Sequence, residues 1–223
     1  MNKKLLLQAL GKYISGLVLV SALLFIPAGT LSYWNAWLFI GILFLPMLVL
    51  GIVLLLKNPE LLQRRLKAKE KEEEQKSIVL LSGLMFLVGF VVAGLDYRYQ
   101  WLVLPKRVVT AAAVVFILAY LLYAEVIREN AYLSRTIEVQ EGQKVVDSGL
   151  YGIVRHPMYA STILLFLSMP LVLGSFLSFL VFLFYPAVIV KRIKNEEKVL
   201  EQNLEGYSEY KKRVKYRLLP FVW

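Results

Sequence analysis

Four long runs without a charged residue constrain the fold of this chain more than any other feature. They cover residues 13–56, 77–95, 108–124 and 157–190. A helix that crosses a membrane needs about 20 apolar residues. The first run, of 44 residues, can therefore supply two spans with a turn near Ala28–Asn35, and the second and third runs supply one span each.

The last run is long for one helix and short for two full spans. Pro170 and Gly174 lie near its middle and predict a hairpin of two short helices joined around Met169–Ser175. The sequence thus predicts an all-α fold, a multi-pass transmembrane helix bundle of four spans followed by a C-terminal helical hairpin. We expect an N-terminal transmembrane region over residues 1–130 and a C-terminal region over residues 131–223.

Composition narrows the chemistry that the chain can perform. It contains no cysteine and a single histidine, His156, so we expect no disulfide framework, no thiolate nucleophile and no metal site. It also lacks a GxGxxG turn, a P-loop and a GxSxG elbow, which argues against the nucleotide and nucleophile sites of soluble enzymes. The apolar stretch after Met1–Gly11 has no small-residue cleavage site, so we expect a retained first span and not a removed signal peptide.

The net charge of +10 follows a pattern typical of membrane topology. All but three of the 26 lysines and arginines lie in four segments, and a cytoplasmic N-terminus would place all four on one membrane side. We therefore predict a multi-pass membrane protein with both termini in the cytoplasm, an attraction to membrane lipid and no nucleic-acid partner. The segments are residues 1–12, 57–76, 128–155 and 191–223.

Two segments between the spans have patterns of their own. The loop 57–77 starts with the helix signal Asn58-Pro59-Glu60 and continues with leucines among charges, which predicts a short amphipathic helix on the cytoplasmic membrane surface. For its second half, Lys67–Lys76, a solvated charged helix is an equal alternative. Around Glu141-Gly142, the β-branched residues of the segment 136–146 predict a small β-hairpin or an irregular loop.

Two polar clusters flank the predicted hairpin. Because a hairpin returns to the membrane face that it left, its entrance and exit should lie close together and form a pocket at the cytoplasmic face. The residues taken singly also allow simpler readings: a positive-inside anchor, an ordinary ion pair between residues four apart, or interfacial aromatic rings. The first cluster is Tyr151, Arg155, His156, Pro157 and Tyr159, and the second is Arg192, Glu196 and Glu197.

These residues also belong to a recognisable pattern. The stretch SGLYGIVRHPMYAS, followed by an apolar hairpin and NEEKVL, resembles the signature of the isoprenylcysteine carboxyl methyltransferase family: RHPxY, a spacer, then a glutamate pair and a leucine. The tail LEGYSEYKKRVKYRLLP is similar to the end of that family. The resemblance covers about 85 residues from Val139 onward, whereas the first four spans match in hydropathy and in an NPELL-type loop.

The resemblance implies an integral membrane enzyme that transfers a methyl group from S-adenosyl-L-methionine, with a cytoplasmic cofactor pocket and residues 131–223 as its methyltransferase region. It implies catalytic roles for Arg192, which would orient the substrate, and for Glu196. Gln140 is a looser match because the loop length differs. The implied cofactor contacts are Gln140, Lys144, Val145, Val146, Tyr151, His156, Pro157, Met158, Tyr159 and Glu196.

The methyl acceptor is the least defined part of this reading. The resemblance implies a carboxylate on a lipophilic, isoprenoid-like or prenylcysteine-like molecule that enters from the bilayer. A carboxylate is ionised at pH 7, so its methylation requires no strong general base. Three alternatives stay open: a phospholipid or small-molecule N- or O-methyltransferase, an NADPH-dependent membrane reductase, for which the chain is small, and a membrane protein that retains the motif as a structural relic.

Overall fold

The computed structural model describes residues 3–66, 73–134 and 136–223. These residues form nine α-helices, one short 3-10 helix at Gly149–Gly152 and no strand, which confirms the all-α prediction. The α-helices are α1 (Lys3–Ala28), α2 (Trp34–Lys57), α3 (Pro59–Leu66), α4 (Glu73–Tyr99), α5 (Lys106–Glu129), α6 (Pro157–Val172), α7 (Phe176–Phe182), α8 (Tyr185–Asn203) and α9 (Tyr207–Arg213).

Five helical segments in the described residues are long and apolar enough to cross a membrane. Four of them, α1, α2, α4 and α5, are the predicted spans, and the fifth runs from Phe176 to Asn203 through α7 and α8. The chain is thus a multi-pass membrane protein. The turn predicted near Ala28–Asn35 lies between α1 and α2 as expected.

The predicted hairpin forms, but its two arms differ in length. Helix α6 has 16 residues and is about 24 Å long, which is less than the hydrocarbon thickness of about 30 Å. The return arm is longer, because α8 continues past the apolar run to Asn203. The turn is Leu173–Ser175, where Gly174 has a left-handed φ of 77°, and Pro170 lies inside α6.

The predicted amphipathic helix is α3. Its first turn is capped by Asn58, whose side-chain oxygen accepts a hydrogen bond from the backbone N–H of Leu61 at 3.1 Å. Leu61 and Leu62 are buried, so the apolar side of α3 faces the protein. The segment Lys67–Lys76 allowed two predictions, a continued amphipathic helix or a solvated charged helix. Its residues 67–72 lie outside the described part of the chain, and residues 73–76 belong to α4.

Small residues let the helices of the bundle approach closely. A Cβ atom added at Gly94 of α4 would lie 2.6 Å from the carbonyl oxygen of Leu24 in α1. A Cβ atom at Gly89 would lie 2.3 Å from the ring of Phe182. The glycines therefore allow α4 to contact α1 on one side and the return arm of the hairpin on the other.

The turn of the hairpin is fixed at one end of the bundle. Asp96, at the end of α4, is fully buried. Its carboxylate accepts hydrogen bonds from the Ser175 hydroxyl at 2.5 Å and from the Leu102 backbone N–H at 2.8 Å. The Tyr33 hydroxyl donates to the Leu173 carbonyl at 2.6 Å. These bonds hold the hairpin in position along the bundle.

The opposite end of the bundle gathers the start of α1, the end of α2, helix α3, the end of α5 and the loop that follows it. Three of the four basic segments therefore begin at the same end of the molecule, as the charge pattern predicted. The buried apolar side chains that join them are Leu5, Leu54, Leu61, Leu62, Val126, Ile127, Leu133 and Tyr151.

Candidate active site

The entrance and the exit of the hairpin meet at Glu197. This carboxylate of α8 is 3% exposed and accepts hydrogen bonds from the Arg155 Nε at 2.7 Å and the Arg217 Nε at 2.9 Å. The Nε2 atom of His156 lies 3.2 Å from the same Glu197 Oε1 that Arg155 contacts. Three basic side chains thus surround one buried carboxylate, a buried arrangement that satisfies its charge.

Arg155 also holds the C-terminal segment. Its Nη1 donates hydrogen bonds to the carbonyl oxygens of Val214 at 2.7 Å and Lys215 at 2.8 Å. The backbone N–H groups of Arg155 and His156 donate to the carbonyl oxygens of the next two residues of that segment, at 2.9 Å each. The fourth basic segment therefore joins the other three at this end of the molecule.

Tyr159 links the two residues that the sequence placed on one face of α8. Its hydroxyl donates to the Glu196 Oε2 at 2.5 Å and accepts from the Arg192 Nε at 2.9 Å. Tyr159 is buried in the first turn of α6. The proximity of entrance and exit that the hairpin predicted is therefore present, and a neutral hydroxyl joins the arginine to the carboxylate.

A polar cavity opens beside this cluster. The loop 130–146 and the 3-10 helix form one side, and the first turn of α6, the end of α8 and helix α9 form the other. Eight of the ten predicted cofactor residues line it: Lys144, Val145, Val146, Tyr151, His156, Met158, Tyr159 and Glu196.

The other two predicted cofactor residues do not line this cavity. Gln140 instead holds the loop together, since its Nε2 donates to the Tyr132 carbonyl at 2.7 Å and its backbone N–H donates to the Gln143 Oε1 at 2.9 Å. Pro157 is the first residue of α6, after His156 as N-cap, in the first-turn position that the sequence predicted. Between the two alternatives for residues 136–146, the described ones form an irregular loop without strands.

Two tyrosines of the cavity, Tyr151 and Tyr210, stay neutral. Burial raises the pKa of the Tyr151 hydroxyl and of the Tyr210 hydroxyl above the ordinary value of a tyrosine. The Tyr210 hydroxyl donates to the Tyr151 carbonyl at 2.7 Å, which ties α9 to the 3-10 helix. Both residues therefore act as neutral hydrogen-bonding and ring surfaces and not as bases.

A second cavity adjoins the first. It lies between α4, α6 and α8, and apolar residues such as Ile78, Phe86 and Ile189 form much of its wall. Arg192 lines this cavity and not the first. The two cavities share four lining residues, Ser134, Thr136, Met158 and Tyr159, so they meet at the first turn of α6.

Arg65 is a second arginine on the wall of this adjoining cavity. It extends from α3, donates to the Ser134 carbonyl at 3.3 Å and to the Tyr123 hydroxyl, and lies over the Tyr123 ring at 5.5 Å. The sequence predicted no functional role for α3. Two cations therefore line a cavity that is otherwise largely apolar.

Comparison with known proteins finds a family match for part of this chain. Residues 109–202 match the isoprenylcysteine carboxyl methyltransferase (ICMT) family. The match confirms the resemblance that the sequence motifs indicated, and it covers less than half of the chain's 223 residues. It contains every predicted cofactor residue and both predicted catalytic residues.

This chain is also similar to part of a protein with another name. The Delta(14)-sterol reductase TM7SF2 of Mus musculus is 34% identical to this chain over 91 residues. The matched part is 40% of this chain and 22% of the reductase. The chain thus spans about a fifth of the length of this curated relative.

The buried position of Glu197 was not predicted from the sequence. The family resemblance implies a functional role for Glu196, whereas in the structure Glu197 forms the buried ion pairs. The sequence spacing does indicate that Glu197 is buried. Ile189, Ile193 and Glu197 follow one another at intervals of four residues, and all three are buried on one face of α8. A carboxylate that continues a buried helical face requires a cationic partner.

Proposed function

We propose that this chain is an integral membrane methyltransferase that uses S-adenosyl-L-methionine and methylates a carboxylate of a lipophilic acceptor. One observation carries the proposal: a polar cavity and a largely apolar cavity meet at Tyr159 and Met158. Such a junction suits a reaction between a polar donor and an apolar acceptor. The ICMT-family match over the same residues supports the reading.

The polar cavity fits the donor in its chemistry, because polar and aromatic side chains line it. Bound S-adenosyl-L-methionine supplies an electrophilic methyl group. Glu196 would bind its amino group or ribose hydroxyls, Lys144 would bind its carboxylate, and the rings of Tyr151 and Tyr159 would face its cation or its adenine.

Contacts within the protein hold His156 in place. Its ring nitrogen lies against Glu197, and its carbonyl oxygen accepts hydrogen bonds from the backbone N–H groups of Tyr159 and Ala160. We therefore propose that His156 contributes to the wall of the cavity and positions the first turn of α6. Glu196 is the better residue for a test of binding, because its replacement leaves the Glu197 cluster intact.

The second cavity fits an anionic amphiphile. Apolar walls between α4, α6 and α8 would hold its hydrocarbon part, which could enter from the bilayer. Arg192 and Arg65 would hold its carboxylate, since guanidinium groups pair with carboxylates through two parallel hydrogen bonds. Exclusion of water and alignment of the acceptor then account for most of the rate, because the ionised carboxylate needs no base.

The donor is tested by isothermal titration calorimetry of the purified protein in detergent. S-adenosylhomocysteine and NADPH are titrated in parallel into folded protein. We expect saturable binding of S-adenosylhomocysteine and none of NADPH. The opposite result would refute the methyltransferase and support a reductase, the second candidate, which the similarity to the sterol reductase favours.

The acceptor is tested by transfer of a radioactive methyl group. The probes are a prenylated cysteine with a free carboxylate, the same molecule as its carboxamide, and phosphatidylethanolamine. We expect labelling of the carboxylate alone. Labelling of phosphatidylethanolamine instead would refute carboxyl methylation and indicate N-methylation of a phospholipid.

We also propose that the end of the bundle that carries the site faces the cytoplasm. The grouping of the basic segments at that end supports this orientation. Because the chain has no cysteine, single-cysteine variants can report it. In sealed right-side-out vesicles, a cysteine at Ser32 should react with a membrane-impermeant maleimide. A cysteine at Ser148 should react only after the vesicles are opened. The reverse pattern would refute the orientation.

A further inference from the structure

The hydroxyl of Tyr207 is a buried polar group that lacks a hydrogen-bond partner among the described residues. Tyr207 is the first residue of α9 and is 4% exposed. Gly206 precedes it with a left-handed φ of 81°, so the chain turns sharply from α8 into α9 at this point. The turn carries the Tyr207 side chain to the wall of the polar cavity.

The neighbouring Tyr210 has a hydroxyl that does form a hydrogen bond within the protein. The rings of Tyr207 and Tyr210 lie 5.7 Å apart, and both line the cavity. The Tyr210 hydroxyl donates to the Tyr151 carbonyl, whereas the Tyr207 hydroxyl has no such bond within the described part of the chain. A buried hydroxyl without a partner costs free energy, so a native structure that retains one invites a functional explanation.

The nearby carboxylates do not supply the missing partner. Glu197 already accepts from Arg155, His156 and Arg217. Burial, together with the charge of Glu197 and then of Glu196, raises the pKa of the Tyr207 hydroxyl. The Tyr207 hydroxyl therefore remains protonated at physiological pH and can donate to an oxygen or nitrogen acceptor.

We propose that the Tyr207 hydroxyl donates a hydrogen bond to the S-adenosyl ligand of the polar cavity. This contact rests on the proposed function, since the ligand provides the acceptors: carboxylate and ribose oxygens and adenine nitrogens. Tyr207 lies beyond the family match, which ends at residue 202. Helix α9 thus adds a binding residue from outside the matched region and forms one wall of the donor site.

The test compares Tyr207→Phe with wild type and with the control Tyr216→Phe. Tyr216 belongs to the same C-terminal segment but does not line the cavity. The dissociation constant for S-adenosylhomocysteine is measured by calorimetry, and the melting temperature of the ligand-free protein by circular dichroism. For Tyr207→Phe we expect a dissociation constant raised about 2-fold to 12-fold, the range for one hydrogen bond.

The melting temperature separates binding from folding. Because the Tyr207 hydroxyl has no partner among the described residues of the ligand-free protein, its removal should leave the melting temperature unchanged or raise it. Tyr216→Phe should change neither the melting temperature nor the dissociation constant. An unchanged dissociation constant for Tyr207→Phe would overturn the contact, and so would a fall in affinity accompanied by a lower melting temperature. If wild type itself binds no S-adenosylhomocysteine, the proposed function fails and this contact fails with it.

Discussion

Replacement of Glu197 by glutamine should be among the most damaging changes in the chain that conserve side-chain shape. Arg155 is 6% exposed, so loss of the carboxylate charge leaves a buried guanidinium without its counterion. Breaking a buried ion pair in this way typically costs about 3–5 kcal/mol. Because Arg155 keeps two carbonyl partners and the Arg217 side chain is 27% exposed, we expect the lower end, about 3 kcal/mol.

The assay is equilibrium unfolding of the detergent-solubilised protein by SDS, followed by circular dichroism. The matched control is Glu201→Gln, one turn further along α8, where the ion pair with Lys211 is about one-third exposed. That change should cost less than about 1 kcal/mol. In a double-mutant cycle, the double variant Arg155→Gln/Glu197→Gln should lose at least about 1 kcal/mol less stability than the two single variants lose together. Additivity within about 0.5 kcal/mol would refute the buried-pair reasoning.

Three further predictions concern the site and the bundle. Glu196→Gln should weaken S-adenosylhomocysteine binding about tenfold or more, because a charged hydrogen-bond acceptor is lost. Arg192→Gln should lower kcat/KM for the acceptor by about 10-fold to 100-fold, and Arg65→Gln should raise the acceptor KM, with unchanged S-adenosylhomocysteine affinity in both. Gly94→Ala should lower the free energy of unfolding by about 1–3 kcal/mol, whereas Gly83→Ala, which meets open space, should not lower it.

Each of these predictions has an outcome that contradicts it. Unchanged ligand affinity in Glu196→Gln would remove that residue from the donor site. An equal loss of donor and acceptor affinity in Arg192→Gln would move the arginine to the donor side. Equal stabilities of the two glycine variants would mean that the close contact between α4 and α1 does not limit packing.

The sequence predicted the helices well because their cause is local. A run such as 108–124 becomes a span through its own apolar composition, and Pro157 starts α6 through its own backbone geometry. The two polar clusters were also placed together correctly, since a helical hairpin returns its ends to one side. These features depend on neighbours in the sequence or on a single connection.

The features that the sequence did not reveal depend on distant partners. Nothing around Glu197 shows that it meets Arg217, and nothing around Arg65 shows that α3 reaches the cavity beside Arg192. The unequal arms of the hairpin were missed because charged residues continue α8 after the apolar run ends. Contacts of this kind depend on how the helices pack, so they cannot be predicted from the residue pattern of a single sequence.

The bonds from Arg155 to the carbonyl oxygens of Val214 and Lys215 connect residues 59 and 60 positions apart. During synthesis, the membrane helices can assemble before these carbonyls have been made. Water therefore supplies the hydrogen-bond partners of Arg155 until the ribosome has added Val214 and Lys215, whose carbonyl oxygens take the place of that water. Completion of the site is therefore a late event in biogenesis, and a chain that stops early would present a hydrated, positively charged cleft to the quality-control machinery of its membrane.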